Sequence, residues 1–97
     1  MDEGMIRKYA EAHGDAVVKG DQQHLMADIA PEALAALGPV AAAMPNPVKS
    51  ASVESVDAGG DEAVVRICYS GDDKTTTVQS RWAQKGDRPV IVAAEVV

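Results

Sequence analysis

The stretch that decides the fold runs from Asp61 to Val97 and reads DEAVVRICYSGDDKTTTVQSRWAQKGDRPVIVAAEVV. Within it, three runs rich in β-branched and aromatic residues are separated by two turn sequences, which begin at Gly71 and Gly86. Because both turns are of hairpin length, consecutive strands are expected to pair in an antiparallel fashion. The stretch therefore predicts a meander of three strands.

The segment before this stretch predicts a fourth, weaker strand. Residues 48–57 alternate loosely between apolar and polar side chains, and the apolar phase slips midway, which is typical of a β-bulge at a sheet edge. In the hairpin that follows, the pattern pairs Ile67 with Val78 and Arg66 with Gln79. One face of the sheet is then apolar.

The N-terminal half of the chain has helical periodicity. Residues 2–19 form one amphipathic stripe, and Gly20-Asp21 suits a left-handed helix cap followed by the N-cap of a second helix, about Gln22 to Ile29. A further helix begins at Pro31 and is expected to kink or break near Leu37, because a Gly-Pro pair follows. We therefore predict a single α+β domain over residues 1–97, with N-terminal helices packed on one face of a curved four-stranded antiparallel sheet.

The composition excludes several classes of protein. The chain has 97 residues and a net charge of −6, and it lacks the clustered Lys and Arg that bind phosphate backbones, so nucleic acid is not an expected partner. Cys68 is the only cysteine, which excludes an internal disulfide, and the Cys and His content is too low for a structural zinc site. No cofactor motif is present. The first twenty residues contain no long apolar run, so we expect neither a signal peptide nor a membrane span. We therefore expect a cytoplasmic protein.

The last strand is apolar on both faces, so its outer face also needs a cover. A second copy of the chain is the simplest cover, which predicts a homodimer formed through the sheet. Arg66, Gln79 and Arg81 lie on the polar side of the sheet and are expected at the rim of that interface. Cys68 shares their face and is interpreted as a small apolar side chain.

The order of these elements resembles the nuclear transport factor 2-like superfamily, which includes ketosteroid isomerases, SnoaL-like polyketide cyclases and limonene epoxide hydrolases. The resemblance covers nearly the whole chain. It is carried by the Gly20-Asp21 corner after one long helix, by the run Asp61–Ile67, and by the run Arg81–Ile91 with its tryptophan. It implies a cone of curved sheet wrapped by helices, usually dimeric, with a hollow that binds or transforms apolar molecules.

The chain departs from the ketosteroid isomerases at their reactive positions. His13 stands where, counted back from the Gly-Asp corner, those enzymes carry their oxyanion-binding tyrosine, and Tyr9 lies one turn earlier. Ser80 stands at the place that resembles their protonated aspartate, and no carboxylate matches their catalytic base. The resemblance therefore implies a pocket, but it does not favour steroid isomerisation.

Two residues are candidates for acid–base chemistry. His13 lies on the apolar stripe of the first helix, and imidazole titrates near neutral pH; the alternative is a partly buried histidine bonded to a backbone carbonyl. Glu95 would face inward, opposite Val78, if the turn at Gly86-Asp87 is a strict two-residue turn, whereas a one-residue bulge would send it outward. The sequence leaves both alternatives open.

The remaining polar and aromatic residues near the predicted cavity are candidate ligand contacts. With His13, they are Tyr9, Tyr69, Ser80 and Trp82. For the two tyrosines, the alternative is a ring in the core with its hydroxyl at the rim.

Three further polar residues belong to the second helix region, namely Asp21, His24 and Asp28. Without the spacing of a metal site, we interpret them as a solvated face.

Taken together, these patterns predict a small homodimeric domain that binds a small apolar or amphipathic molecule between its helices and its sheet. A binding role is favoured over catalysis, because no third group is apparent to orient His13 and Glu95. One alternative is an acid–base enzyme of the isomerase, cyclase or epoxide hydrolase type that uses His13 and Glu95. The other is a dimerisation scaffold without a ligand.

Overall fold

The helices occupy the first half of the chain in the computed structural model, which describes residues 1–97. Helix α1 spans Glu3–Lys19 and α2 spans Gln22–Asp28; a 3-10 helix, Pro31–Ala36, then leads directly into α3, Leu37–Ala43. None of these helices combines the length and the hydropathy that crossing a membrane requires.

The corner between α1 and α2 forms as the Gly-Asp pair predicts. Gly20 adopts a left-handed conformation with φ of 71°, and its N–H donates to the α1 carbonyls of Ala16 and Val17. The carboxylate of Asp21 accepts from the backbone N–H of His24 at 3.2 Å, as an N-cap does. The corner thus turns the chain back so that α2 packs against α1.

The helical segment that starts at Pro31 breaks into two pieces at Leu37, where the 3-10 helix gives way to α3. Pro39 falls in the first turn of α3, where its missing N–H leaves no intrahelical bond unmade. The break predicted from the Gly-Pro pair is confirmed.

The second half of the chain forms a curved, unclosed sheet of four antiparallel strands in the order β1-β2-β3-β4. The strands are β1 Ser50–Gly59, β2 Glu62–Ser70, β3 Thr75–Lys85 and β4 Arg88–Val96. The predicted fold class, α+β with the helices first, is confirmed.

The pairing of the strands confirms the predicted register of the central hairpin. Ile67 lies opposite Val78 and Arg66 lies opposite Gln79. β1 is an edge strand, and its register shifts between Val53 and Ser55, as the slipping pattern indicated.

The core lies between the helices and the inner face of the sheet. Its buried apolar side chains come from α1, from the 3-10 helix and from the sheet, and the largest is Trp82, which is 0% exposed. α1 covers β1 and β2, while the 3-10 helix and α3 cover β4. The free edge of β4 is partly paired, because Ile29 forms a parallel bridge with Ile91 and the N–H of Ala30 donates to the carbonyl of Ile91 at 2.8 Å.

Candidate functional site

An apolar cavity of about 380 Å³ lies between the helices and the inner face of the sheet, and 14 of its 16 lining residues are hydrophobic. Its floor is formed by the buried lining residues His13, Ala33, Tyr69, Val78 and Ile91. Its mouth, between α2 and α3, is formed by the exposed lining residues Gln22, Met26 and Ala41. A chain with no Phe and an alanine-rich 3-10 helix and α3 leaves this space unfilled.

Asp28 is the centre of a buried polar cluster beside this cavity. It is the last residue of α2 and is 1% exposed. Its Oδ2 accepts a hydrogen bond from Nδ1 of His13 at 2.8 Å, and its Oδ1 accepts one from the guanidinium of Arg88. The Nε2 of His24 lies 3.4 Å from the same Oδ2. The carboxylate therefore links α1, α2 and the start of β4.

Two opposing effects set the pKa of Asp28. Burial by itself would raise it, but hydrogen bonds and charges from His13 and Arg88 together hold the pKa of this carboxyl below its usual value. Asp28 is therefore an anion at neutral pH, and Arg88 is its permanent counter-ion.

His13 is oriented by its contact with Asp28. In the neutral imidazole, Nδ1 carries the proton that is donated to the carboxylate, so Nε2 presents a lone pair. The ring also meets Trp82 edge to face, with centroids 6.0 Å apart and planes at 88°. Since His13 lines the cavity, this arrangement fixes the direction of its imidazole at the cavity floor.

Arg88 is held on both sides of its guanidinium. The group bonds to Asp28 and lies over the ring of Tyr9, 5.3 Å from the ring centroid. Tyr9 thus supports the polar cluster but does not line the cavity.

Tyr69 is 3% exposed and contributes to the cavity floor from β2. Burial raises the pKa of its hydroxyl, which is therefore protonated at neutral pH. Ser80 and Trp82 do not line the cavity; Nε1 of Trp82 donates instead to Oγ of Ser80 at 3.0 Å. Among the predicted ligand contacts, the structure brings only His13 and Tyr69 to the cavity.

Glu95 does not share the cavity with His13. A bulge between Arg81 and Trp82 places Glu95 opposite Gln79 on the outer face, where it is exposed and accepts from Nε2 of Gln79 at 3.3 Å. The inward alternative for Glu95 is therefore corrected, because one extra residue in β4 turns the end of the strand over. Asp28 takes the place of Glu95 as the carboxylate partner of His13.

The sequence interpretation missed Asp28 and Arg88. Asp21 and His24 are exposed as expected, but the solvated face predicted for Asp28 is wrong. One signal was present: Asp28 follows the inward-facing Leu25 by three residues, which places both on the same side of α2. No comparable signal marks Arg88.

No group of three or more His, Cys, Asp or Glu side chains is arranged to hold a metal ion. No protein-family model matches the chain, and a search of curated proteins finds no match.

Proposed function

We propose that the domain binds a small apolar or amphipathic molecule in the cavity between its helices and its sheet. The observation that carries the proposal is the cavity itself: about 380 Å³ of space with 14 of 16 lining residues hydrophobic. Ligand pockets of proteins are typically apolar hollows of roughly 300–1,000 Å³ with a few polar groups that orient the ligand. His13 and Tyr69 supply such groups here.

Binding can be tested with Trp82, the only tryptophan, whose ring contacts the cavity-lining His13. Titration with a panel of apolar compounds is expected to change its fluorescence and to raise the melting temperature, because a ligand that binds only the folded state stabilises it. Ala41→Trp, at the mouth, is expected to weaken binding at least tenfold. Ala42→Trp is the matched control, since Ala42 is an exposed neighbour in α3 that does not line the cavity.

The proposed assembly is a homodimer through the outer face of the sheet. Partly exposed apolar side chains on that face support it, namely Val64, Cys68, Ala83, Val90 and Ala93. Beside them, Nε of Arg66 donates to Oε1 of Gln79 at 3.0 Å, and Nε2 of Gln79 donates in turn to Glu95. These hydrogen bonds order the polar side chains that would form the rim of the interface.

Sedimentation equilibrium at micromolar concentration tests the assembly, and a species of 10.1 kDa would contradict it. Ala93→Glu is expected to dissociate the dimer by burying a charge at its centre, whereas Ala42→Glu on the exposed side of α3 leaves it intact. A dimer without any ligand response would favour the scaffold alternative.

A second candidate is an acid–base enzyme of the isomerase, cyclase or epoxide hydrolase type. The contact of 2.8 Å between His13 and Asp28 favours it, because a buried carboxylate that orients imidazole is the usual way to position a general base. In this candidate, His13 transfers the proton, and Asp28 orients the imidazole of His13.

Turnover of apolar epoxides and enolisable carbonyl compounds separates the two candidates. Catalysis predicts activity that His13→Ala abolishes and that His24→Ala, a change at an exposed histidine near the same carboxylate, retains. If the compounds bind but none is turned over, the catalytic candidate is contradicted and the binding role is retained.

We also propose that the chain is related to the nuclear transport factor 2-like superfamily. It is supported by the helices-first α+β architecture, the curved antiparallel sheet and the Gly20-Asp21 corner.

A further inference from the structure

Two polar atoms on the cavity floor have no hydrogen-bond partner within the chain. They are the hydroxyl oxygen of Tyr69 and Nε2 of His13, whose only side-chain hydrogen bond is made through Nδ1. No side-chain nitrogen or oxygen is both sealed from solvent and unpaired, so both atoms are accessible, and the residues that carry them line the cavity. A ligand that pairs with them would satisfy polar groups that the apolar walls leave unsatisfied.

The two atoms have complementary hydrogen-bonding roles. The phenol of Tyr69 is protonated and donates, whereas Nε2 of His13 accepts in the neutral form of the ring, whose proton is on Nδ1 and is donated to Asp28. A hydroxyl group matches this arrangement, since it donates one hydrogen bond and accepts others through the same oxygen. An ether or a ketone can satisfy Tyr69 but not His13.

The charge balance of the neighbouring cluster favours an uncharged head group. Asp28 and Arg88 neutralise each other, so the floor has no net charge when His13 is neutral. A carboxylate would have to bring a proton onto His13 in order to be paired, and an ammonium group cannot accept from Tyr69.

The volume limits the size of the ligand. An apolar protein cavity of about 150 Å³ holds one benzene molecule. By the same proportion, a cavity of about 380 Å³ has room for a molecule of about 15 non-hydrogen atoms.

We propose that the ligand is an uncharged apolar molecule of about 15 non-hydrogen atoms that carries one hydroxyl group, alcohol or phenol, which donates to Nε2 of His13 and accepts from the hydroxyl of Tyr69. This inference rests on the proposed binding function, because it assigns the head group of the molecule that occupies the same cavity.

Three linear probes of nearly equal size test the head group: 1-dodecanol, 1-methoxyundecane and dodecanoate. With the wild-type protein, the alcohol is expected to bind about five- to tenfold more tightly than the ether, which lacks the donor for His13, and more tightly than the carboxylate at neutral pH. Tyr69→Phe is expected to weaken the binding of 1-dodecanol by a similar factor. This variant should fold as stably as the wild type, since the hydroxyl that it removes has no partner in the chain.

The outcomes are distinguishable. Equal affinities for alcohol and ether, with no effect of Tyr69→Phe, would overturn the inference and leave the binding function intact. Tighter binding of dodecanoate than of 1-dodecanol would contradict the inference that the head group is uncharged. Failure of the wild type to bind any of the three probes would contradict the binding function, and the inference with it.

Discussion

Asp28 connects three parts of the chain that are distant in sequence. Its partner His13 lies 15 residues before it, and its partner Arg88 lies 60 residues after it. Because the carboxylate is buried, its charge is stabilised by these partners rather than by water. The side chain thus fixes both the folded position of α2 and the direction of the imidazole of His13.

Asp28→Asn is expected to lower the free energy of unfolding by about 2–3 kcal/mol, since Arg88 loses its counter-ion and His13 loses a charged acceptor. Urea denaturation followed by Trp82 fluorescence measures the change. His24→Ala serves as the control and should alter stability by less than about 0.5 kcal/mol, because that imidazole is exposed. Equal effects of the two substitutions would contradict the assigned importance of the buried contacts.

The same carboxylate predicts a dependence of stability on pH. Its pKa in the folded chain lies below the ordinary value of 3.8, so its contribution is fully present above that value and is lost as the pH falls through the folded pKa. The difference in stability between the wild type and Asp28→Asn should therefore shrink below about pH 4. Parallel urea titrations between about pH 6 and pH 2 check this, and a difference that stays constant down to the lowest pH would refute it.

At the scale of single residues, sequence patterns predict which side a residue faces better than which residue it meets. The helical stripe placed His13 on the inner side of α1, and strand alternation placed Tyr69 on the inner face of β2; both line the cavity. The pairing of Arg88 with Asp28 depends on how the start of β4 meets the end of α2, and no local pattern encodes that. Their roles as ligand contacts remain predictions.

Among the elements, the helices follow from local signals. A glycine with positive φ ended α1, and a Gly-Pro pair marked the break before α3. The position of the bulge in β4 had no such signal, because Val90, Ile91 and Val92 suit either face of a strand equally well. The direction of Glu95 was therefore open until the structure was determined.

Gly20 at the end of α1 and Gly38 in α3 provide a matched pair of substitutions with different expected effects. Apart from the chain neighbours and the local helix backbone, a methyl group at either position would meet no atom within 4 Å. Gly20→Ala is expected to destabilise the domain by about 1 kcal/mol, because φ of 71° is unfavourable for a residue with a Cβ atom. Gly38→Ala is expected to change stability by less than about 0.5 kcal/mol, because the preference of alanine for the helical conformation of α3 is opposed by crowding between its Cβ and the ring of Pro39.

Thermal unfolding of the two glycine variants beside the wild type measures both effects in one experiment. Equal losses of stability in the two variants would contradict the importance assigned to the positive φ of Gly20.

For the whole molecule, the arrangement of layers was predictable because the change from helical to alternating patterning falls near Pro45 and Pro47. The size of the cavity was not, although a core without Phe indicated that space would remain. Void volume depends on how far the 3-10 helix and α3 stand from the sheet, and that distance is set by the sum of many side-chain contacts.

The cavity predicts an opposition between stability and binding. Ala33→Leu extends apolar atoms from the cavity floor into empty space and is expected to raise the free energy of unfolding by about 1–2 kcal/mol, while it weakens ligand binding at least tenfold. Ala35→Leu is the control, since Ala35 is an exposed residue of the same 3-10 helix and does not line the cavity. Urea denaturation and ligand titration of both variants give the two readouts; a destabilised Ala33→Leu would mean that the space cannot accept a larger side chain.

The bulge in β4 decides which side chains of the C-terminal segment face the cavity. Val92 is the residue left without a partner, because Arg81 pairs with Ala93 and Trp82 pairs with Ile91. Had Val92 paired with Arg81, the register of the turn would continue to the end of the chain and bring Glu95 opposite Val78, as an acid in a lining that has none. Deleting Val92 removes the bulge but is expected to leave Glu95 opposite Gln79, because the pairs of Ile91 with Trp82 and of Ala93 with Arg81 already form a continuous ladder without it. Cross-strand NMR contacts between Glu95 and Gln79 that persist in the deletion variant are the expected sign, and contacts between Glu95 and Val78 would contradict it. The loss of a single codon is thus absorbed where the bulge lies, and both faces of the C-terminal segment keep their places.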